Sequence, residues 1–305
     1  MRKEELTMNR TNKGIIILNI FIISLLLITT ICGVSSFHAE CSYEVINQYG
    51  ENIKMWGSGI YTHDSYFKAP IFIGSDFTIL VFIIPLTIIS LLQLKSAPTI
   101  EHFIQNFSVV SLLLYYSASL AFGVTYNCLH LLYIALFGAC FYCMCFLFIK
   151  LYAIRCKQKT VCQFTVSRGL KIYLISAGIS LFVAWLPDII TSLINGNSLD
   201  LIEVYTTEIT YVLDMGIISP LVFLTLYLLK RNDFIGYVLL RMILKVCIVI
   251  GTMLPIQTVY QIIAGISIPI PALITKVLIF VLLALFALFF ENKLRKETKW
   301  KTCMP

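Results

Sequence analysis

Four ionisable side chains lie deep inside long apolar stretches, where charged groups are rare: Asp76, Asp214, Lys245 and Lys276. A charge near the centre of a bilayer costs at least about 2.5–3.5 kcal/mol on insertion scales, and an opposite charge offsets much of this cost. Counted at 1.5 Å per helical residue, Asp214 lies about 9 Å below one membrane surface and Lys245 about 16 Å above the other. These depths predict an Asp214–Lys245 ion pair, and the same counting pairs Asp76 with Lys276. Two interpretations stay open: a site for ions, protons or small solutes, and structural ion pairs that specify packing.

Further polar residues lie at helical spacing beside these charges. Residues that are 3, 4, 7 and 11 positions apart share one face of a helix. The candidate lining and rim residues of a polar cavity that opens outward are Tyr115, Asp188, Glu208, Tyr211 and, nearer the cytoplasm, Arg241. For the Ser and Thr residues on the same faces, ordinary helix–helix packing is the competing interpretation.

The elements that must position these side chains are membrane helices. Hydrophobic residues make up 59% of the 305 residues and charged residues only 13%, whereas a soluble domain carries roughly 25% charged residues. This composition excludes a soluble enzyme, a disordered protein and a disulfide-rich secreted module. Apolar runs long enough to cross a bilayer predict eight spans, at residues 14–36, 70–94, 103–125, 129–148, 170–194, 208–229, 234–264 and 269–290.

Lysine and arginine cluster in alternate connections between these runs, and basic loops stay in the cytoplasm. We therefore predict an all-α bundle of eight transmembrane helices in the cell membrane, with both termini cytoplasmic. Its segments are a cytoplasmic N-terminus (1–13), a long external loop (37–69), a basic cytoplasmic loop (149–169) and a basic cytoplasmic tail (291–305). The net charge of +7 fits contact with anionic lipid headgroups and requires no nucleic acid.

One alternative topology treats the first apolar run as a cleaved signal peptide, because a basic leader precedes it and Val34-Ser35-Ser36 resembles a cleavage site. Seven helices with an external N-terminus would then remain, which is the topology of a receptor. The run is longer than the usual apolar region of a signal peptide, about 7–15 residues. The sequence also has no Asp-Arg-Tyr at the end of the third of those helices and no Asn-Pro-x-x-Tyr in the last. Eight spans are therefore the preferred prediction.

The long external loop is rich in aromatic residues: Tyr43, Tyr49, Trp56, Tyr61, Tyr66 and Phe67. Trp and Tyr prefer the interface between membrane and water. We expect this loop to lie in that interface, with a cap over the outer end of the bundle as the alternative.

The spacing of the cysteines and histidines predicts neither a cofactor nor a metal site. Cys140 and Cys143 form a C-x-x-C pair inside an apolar run, where a thiolate is scarce, so we interpret both as small apolar fillers. No H-E-x-x-H pattern and no His-x3-His spacing occurs. Cys41 and Cys128 are both predicted to be external, and a disulfide between them stays open.

A weak internal repeat relates the two halves of the sequence. In each half the second span carries an acid, then a proline, then a lysine at its cytoplasmic end: Asp76, Pro85 and Lys95 against Asp214, Pro220 and Lys230. Such a pattern indicates a parallel tandem duplication of four spans.

Scattered residues of spans two to four and six to seven follow a further pattern: Gly74-Ser75-Asp76 through Pro85, Tyr115-Tyr116, Phe122-Gly-Val-Thr-Tyr126-Asn127, Leu131-Leu132-Tyr133-Ile-Ala-Leu-Phe, Leu213-Asp214-Met-Gly through Pro220, Lys230-Arg231 and Gly236-Tyr237. This pattern resembles a family of uncharacterised multi-pass membrane proteins from bacteria and archaea that has no established activity. The resemblance implies no substrate, cofactor or catalytic role. It points to Asp76, Asn127 and Asp214 as site positions and adds Asn127 to the candidate rim.

These observations favour transport of a small solute or ion through a polar cavity within the bundle, with membrane lipids as the expected partners. The first alternative is a membrane sensor or assembly protein that binds a ligand or a protein partner. A lipid-modifying enzyme comes third, because the sequence shows no recognised metal or nucleophile constellation.

Overall fold

A computed structural model describes residues 2–38, 41–158, 161–163, 166–297 and 299–301. The other positions of the predicted N-terminus, external loop, basic loop and basic tail lie outside the described residues. Within that part, eight helices are long and apolar enough to cross a membrane, in agreement with the predicted all-α class. Spans 1 to 8 cover Thr11–Val34, Ala69–Ser96, Ile100–Gly123, His130–Cys156, Arg168–Asn195, Ile209–Lys230, Phe234–Ile263 and Ile274–Lys296.

The complete helices extend slightly beyond several of these spans. Regular α-helix covers Arg2–Val34, Ala69–Thr78, Ile84–Ser96, Ile100–Gly123, His130–Gln158, Arg168–Asn195, Ile209–Leu213, Ser219–Lys230, Phe234–Ile263, Ile270–Leu273 and Ile279–Glu297. Short polar side chains start several of them, as expected for N-caps. Thr99 accepts a hydrogen bond from the His102 backbone N–H, and Asp233 accepts one from the Ile235 N–H. Gly196, in a left-handed conformation, ends span 5.

Three spans are interrupted by one turn of π-helix, at Ile79–Ile83, Asp214–Ile218 and Ile274–Leu278. In spans 2 and 6 a proline follows the π turn by two residues, Pro85 or Pro220. Proline has no N–H, and its ring clashes with the carbonyl group four residues earlier. That carbonyl belongs to Val81 in span 2 and to Gly216 in span 6, inside the π turn in both cases. Span 7 is assigned as one unbroken α-helix from Phe234 to Ile263, with Pro255 inside it.

The packing supports a duplication in which spans 1–4 correspond to spans 5–8. Spans 3 and 7 contact each other at the centre and are 67% and 72% buried, against 22–44% for the other spans. Span 2 packs against spans 1, 3 and 7, and span 6 packs correspondingly against spans 5, 7 and 3. The π turns, the prolines and the terminal lysines of spans 2 and 6 keep one spacing, whereas Asp76 and Asp214 do not. The two halves also differ in their packing: span 1 packs along span 4, but span 5 touches span 8 only slightly.

The long loop after span 1 folds into a cap on the bundle, which is the alternative that the sequence offered for it. Strands β1 (Tyr43–Ile46) and β2 (Asn52–Met55) form an antiparallel hairpin in which Tyr43 faces Met55. Trp56 and Tyr61 are fully buried. The Trp56 indole N–H donates to the Ser36 carbonyl, and the Tyr61 hydroxyl reaches Asp76 of span 2 at 2.5 Å. These buried polar contacts fix the loop to the bundle, so we call this end, predicted to be external, the capped end.

The opposite end, which we call the basic end, joins the two basic segments. Strand β3 (Val161–Gln163) pairs in antiparallel register with β4 (Lys299–Lys301), so the loop after span 4 meets the tail after span 8. Arg155 forms an ion pair with Asp233 at 2.7 Å.

Gly33 provides a test of the contact between span 1 and Asp76. A Cβ at this position would stand 1.7 Å from Asp76 Oδ2, whereas a Cβ at Gly14 of the same helix would meet nothing within 4 Å. We expect Gly33→Ala to lower the unfolding temperature of the detergent-solubilised protein, through an overpacking cost of about 1–3 kcal/mol. Gly14→Ala, the matched control, is expected to unfold like the wild type. Equal unfolding temperatures for both variants would contradict the close packing at Asp76.

Candidate functional site

Two carboxyl groups inside the spans are held by uncharged hydrogen-bond donors. Asp76 accepts from the hydroxyls of Tyr61 and Tyr116, both at 2.5 Å. Asp214 accepts from the Tyr115 hydroxyl at 2.9 Å and from the Trp185 indole N–H at 2.8 Å. Because successive residues of a helix point about 100° apart, adjacent tyrosines of central span 3 serve two acids on different neighbouring spans.

The structure gives the four predicted charges other partners than those expected from depth. Neither Asp214 and Lys245 nor Asp76 and Lys276 lie within ion-pair distance, and all four are among the described residues. Lys245 of span 7 instead donates to the Gln105 side chain, and Lys276 of span 8 pairs with Asp188 of span 5 at 2.8 Å. Counting residues gives the height of a side chain, but the packing of neighbouring helices decides its direction. This corrects the predicted pairs.

The predicted rim residues Asp188 and Tyr211 come together with Lys276 beside Asp214. The Tyr211 hydroxyl donates to Asp188 Oδ2 at 2.7 Å, the same oxygen that receives the Lys276 ammonium. The Tyr211 ring stacks on Trp185 with ring centres 4.8 Å apart. Trp185 therefore connects the rim to Asp214, since its N–H holds that carboxyl while its ring contacts Tyr211.

This site lies between spans 5 and 8, which make few contacts with each other, and the exposure of its side chains decreases from the rim inward. The side chain of Asp188 is 37% exposed and that of Lys276 is 26% exposed. Asp214, behind Trp185, is 4% exposed. The arrangement places a partly accessible carboxyl at the rim and a buried one about one side-chain layer further in. It can hold cationic groups at two depths.

The remaining predicted residues lie elsewhere. Glu208 forms an ion pair with Lys68 at the capped end. Asn127 accepts from the Leu129 N–H at 2.9 Å, which makes it a local turn residue after span 3. Neither joins the group around Asp214 in the structure.

Arg241 lies at the centre of a charge cluster near the basic end. Its guanidinium contacts Glu291 of span 8 at 2.9 Å, Glu101 of span 3 at 3.0 Å and the Tyr237 hydroxyl at 2.8 Å. Arg241 is 2% exposed, so a deeply buried cation is matched by two acids. The sequence predicts Arg241 as a lining residue on the cytoplasmic side of the cavity, and the structure places it in an ion cluster with Glu101 and Glu291, which lie on other spans.

Sequence reasoning missed Trp185 and Tyr116 as site residues. Trp185 precedes Asp188 by three residues and therefore shares its helix face, a signal that the search for polar stripes passed over because indole is mostly apolar. Tyr116 is adjacent to the predicted Tyr115, and its different direction becomes meaningful only once span 2 is known to lie beside it.

The cap contains a buried acid of its own. Asp64 is fully buried and accepts hydrogen bonds from the Thr125 N–H at 3.0 Å and the Tyr205 hydroxyl at 2.9 Å, both to Oδ1. Its Oδ2 has no hydrogen-bond partner in the part of the chain that the structure describes. Desolvation raises the pKa of Asp64 from 3.8 to about 7. Desolvation also raises the pKa of nearby Glu203.

Cysteines and other candidate ligands form no metal site among the described residues, where no three His, Cys, Asp or Glu side chains come together. Cys41 and Cys128 are free thiols, as are the buried Cys140 and Cys143 of span 4. Asn19 donates to the Cys143 sulfur at 3.4 Å, so this thiol belongs to the polar packing between spans 1 and 4.

Comparison with known proteins adds no functional assignment. No family model, curated protein or solved structure matches the chain. The function is therefore argued from the geometry of the site.

The buried Asp64 makes the stability of the cap dependent on pH. Because its folded-state pKa of about 7 lies above that of the unfolded chain, stabilisation by the bound proton is fully present below about pH 4 and is lost as pH rises through 7. We expect the wild-type cap to lose on the order of 2 kcal/mol between pH 5 and pH 8, measured by hydrogen exchange of residues 41–68. Asp64→Asn should flatten this dependence, whereas Glu44→Gln, at an exposed position of β1, should retain it. A wild-type cap equally protected at both pH values would contradict the assignment.

Proposed function

We propose that the protein transports a small cation across the membrane through its second half, with Asp214 as the group that binds it. The observation that carries the proposal is the environment of this carboxyl. Asp214 is 4% exposed, both of its donors are uncharged, and no Lys or Arg of the described residues forms an ion pair with it.

A buried carboxylate without a countercharge favours the arrival of a cation. The effective cost of removing an ion from water is several kcal/mol even after relaxation of the protein. The hydroxyl of Tyr115 and the indole of Trp185 offset part of this cost by hydrogen bonding. A bound cation or proton would offset the rest, so Asp214 has a physical reason to bind one.

The backbone of span 6 and the packing beside it support Asp214 as the binding group. Asp214 begins the π turn of span 6, and π turns inside helices often occur at functional sites. Spans 5 and 8 make few contacts with each other, and the Asp188–Lys276 pair between them is partly exposed, which supports an approach to Asp214 from the capped end.

A polar strip on span 3 supports a pathway that continues from Asp214 toward the basic end. Although this central span is 67% buried, four of its polar residues are partly exposed and lie within about 120° of its circumference: Gln105, Ser111, Tyr115 and Ser119. Tyr115 holds Asp214, and Gln105 receives the Lys245 ammonium. The strip therefore leads from the binding carboxyl to Lys245, and beyond it to the Arg241 cluster.

Asp76 has a similar set of donors but a different role. It is fully buried and covered by Tyr61 of the cap, and Gly33 of span 1 lies against its carboxyl group. We assign it to anchoring of the cap, because a ligand could reach it only after the cap had moved.

A sensor or assembly protein is the second candidate, and the structure of the cap favours it. The cap contacts the loop between spans 5 and 6, since Asn47 donates to the Glu203 carbonyl at 2.9 Å and Gln48 to the Tyr205 carbonyl at 3.1 Å. A ligand that moved span 5 could thus alter the external surface. This candidate predicts ligand binding without flux.

Transport is tested with purified protein in liposomes, by following Na⁺, K⁺, protons and ethylammonium separately. We expect flux of at least one of these cations, reduced about tenfold or more by Asp214→Asn, the equivalent of about 1.4 kcal/mol. Asp214→Glu should retain part of the flux because it keeps the charge. Asp200→Asn, which neutralises an exposed acid in the loop after span 5, is the matched control and should transport normally. Folded wild-type protein that moves none of the four cations would exclude the proposal in favour of the sensor.

A further inference from the structure

The Lys276 ammonium occupies a small arrangement of groups that suits an ammonium ion in general. Asp188 Oδ2 lies 2.8 Å from Nζ, and the Trp185 ring centre lies 5.2 Å from it. The Tyr211 hydroxyl donates to the same oxygen of Asp188 and its ring stacks on Trp185, which fixes both groups in place. A carboxylate beside an aromatic face is the combination that recognises organic ammonium ions.

We propose that this rim site binds a small primary ammonium ion, for which Lys276 is a tethered substitute that leaves when the ligand enters. The proposal rests on the proposed function and names its substrate class. Lys276 lies on span 8, whereas Asp188 and Trp185 lie on span 5 and Tyr211 lies on span 6. Its departure would therefore leave Asp188 and Trp185 in position on span 5, with Tyr211 held beside them on span 6.

The location of Lys276 on its helix suits a side chain that must move. Lys276 lies within the π turn Ile274–Leu278, none of whose residues is buried. The preceding helix, Ile270–Leu273, has only four residues and starts after Pro269. Because none of the residues of the π turn is buried, a change in the direction of the Lys276 side chain disturbs little packing.

Trp185 links the rim site to the inner carboxyl. Its ring face is directed toward the ammonium, while its N–H donates to Asp214 Oδ2 at 2.8 Å. An ammonium ion that enters at Asp188 thus rests against the same indole that holds Asp214. The next negative group it meets on the way inward is the buried carboxyl of the proposed transport site.

Lys68 provides a matched comparison at the same end of the molecule. It pairs with Glu208 and lies over the Tyr205 ring, with Nζ 4.0 Å from the ring centre. Its side chain and that of Glu208 are only 12% and 13% exposed, because the ordered cap surrounds them. Loss of this lysine removes a similar ion pair, but at a place that the cap covers.

The experiment measures binding of ethylammonium chloride to the detergent-solubilised full-length protein by titration calorimetry, against sodium chloride at equal ionic strength. Lys276→Met removes the tethered ammonium and should bind ethylammonium at least about tenfold more tightly than the wild type. Adding Asp188→Asn to Lys276→Met should abolish this binding. Lys68→Met should bind like the wild type.

Several results would overturn the proposal. One is a folded Lys276→Met protein that binds ethylammonium no better than the wild type or the Lys68→Met control. If Lys276→Met does not fold, Lys276→Gln replaces it, because an amide N–H can still donate to Asp188 without the charge. Failure of both variants to fold would identify Lys276 as a structural ion-pair partner. Binding of ethylammonium without flux would retain this site and exclude transport. Flux of Na⁺ or K⁺ without ethylammonium binding would retain transport and exclude this site.

Discussion

Carboxyl groups buried among apolar helices must find hydrogen-bond donors, and this constraint organises the whole bundle. Asp76 and Asp214 lie on spans that flank the central span 3, and that span supplies a tyrosine to each of them. Removing an ionised carboxyl from water costs several kcal/mol, so the positions of both neighbouring spans are tied to Tyr115 and Tyr116. The second donor differs: the cap supplies Tyr61 to one acid, and span 5 supplies Trp185 to the other.

The different second donors give the two acids different roles in the two halves of the bundle. In the first half, span 1 packs along span 4 and the cap covers Asp76, so the acid contributes to cohesion. In the second half, span 5 barely touches span 8, and the partly exposed Asp188–Lys276 pair lies between them, close to Asp214. Similar residues therefore form a buried structural site in the first half and a partly accessible site in the second half. The looser packing of one helix pair distinguishes them.

Charges at the basic end complete the arrangement. Arg241 is held by acids of two other spans and Lys245 by an amide of span 3, so spans 3, 7 and 8 are joined there by directional contacts. The rim at the capped end depends on one ion pair, Lys276–Asp188, between spans 5 and 8. Among the described residues, separating spans 5 and 8 at the rim therefore breaks one ion pair, whereas separating span 7 from spans 3 and 8 at the basic end breaks two. This asymmetry fits a site that receives its ligand from the capped side.

The sequence by itself determined the eight spans and the polar residues they carry, because apolar length and the cost of a buried charge are local properties of the chain. Asp76, Asp214, Lys276, Asp188 and Tyr211 were all recognisable in this way. Only the tertiary structure decided which of them meet: Lys276 with Asp188, Asp214 with Trp185, and Arg241 with Glu101 and Glu291. The fold of the cap was likewise decided by long-range contacts. The physical reason is that helix period and depth give a height and a face, whereas partners depend on which helices pack side by side and on the rotation of each about its axis.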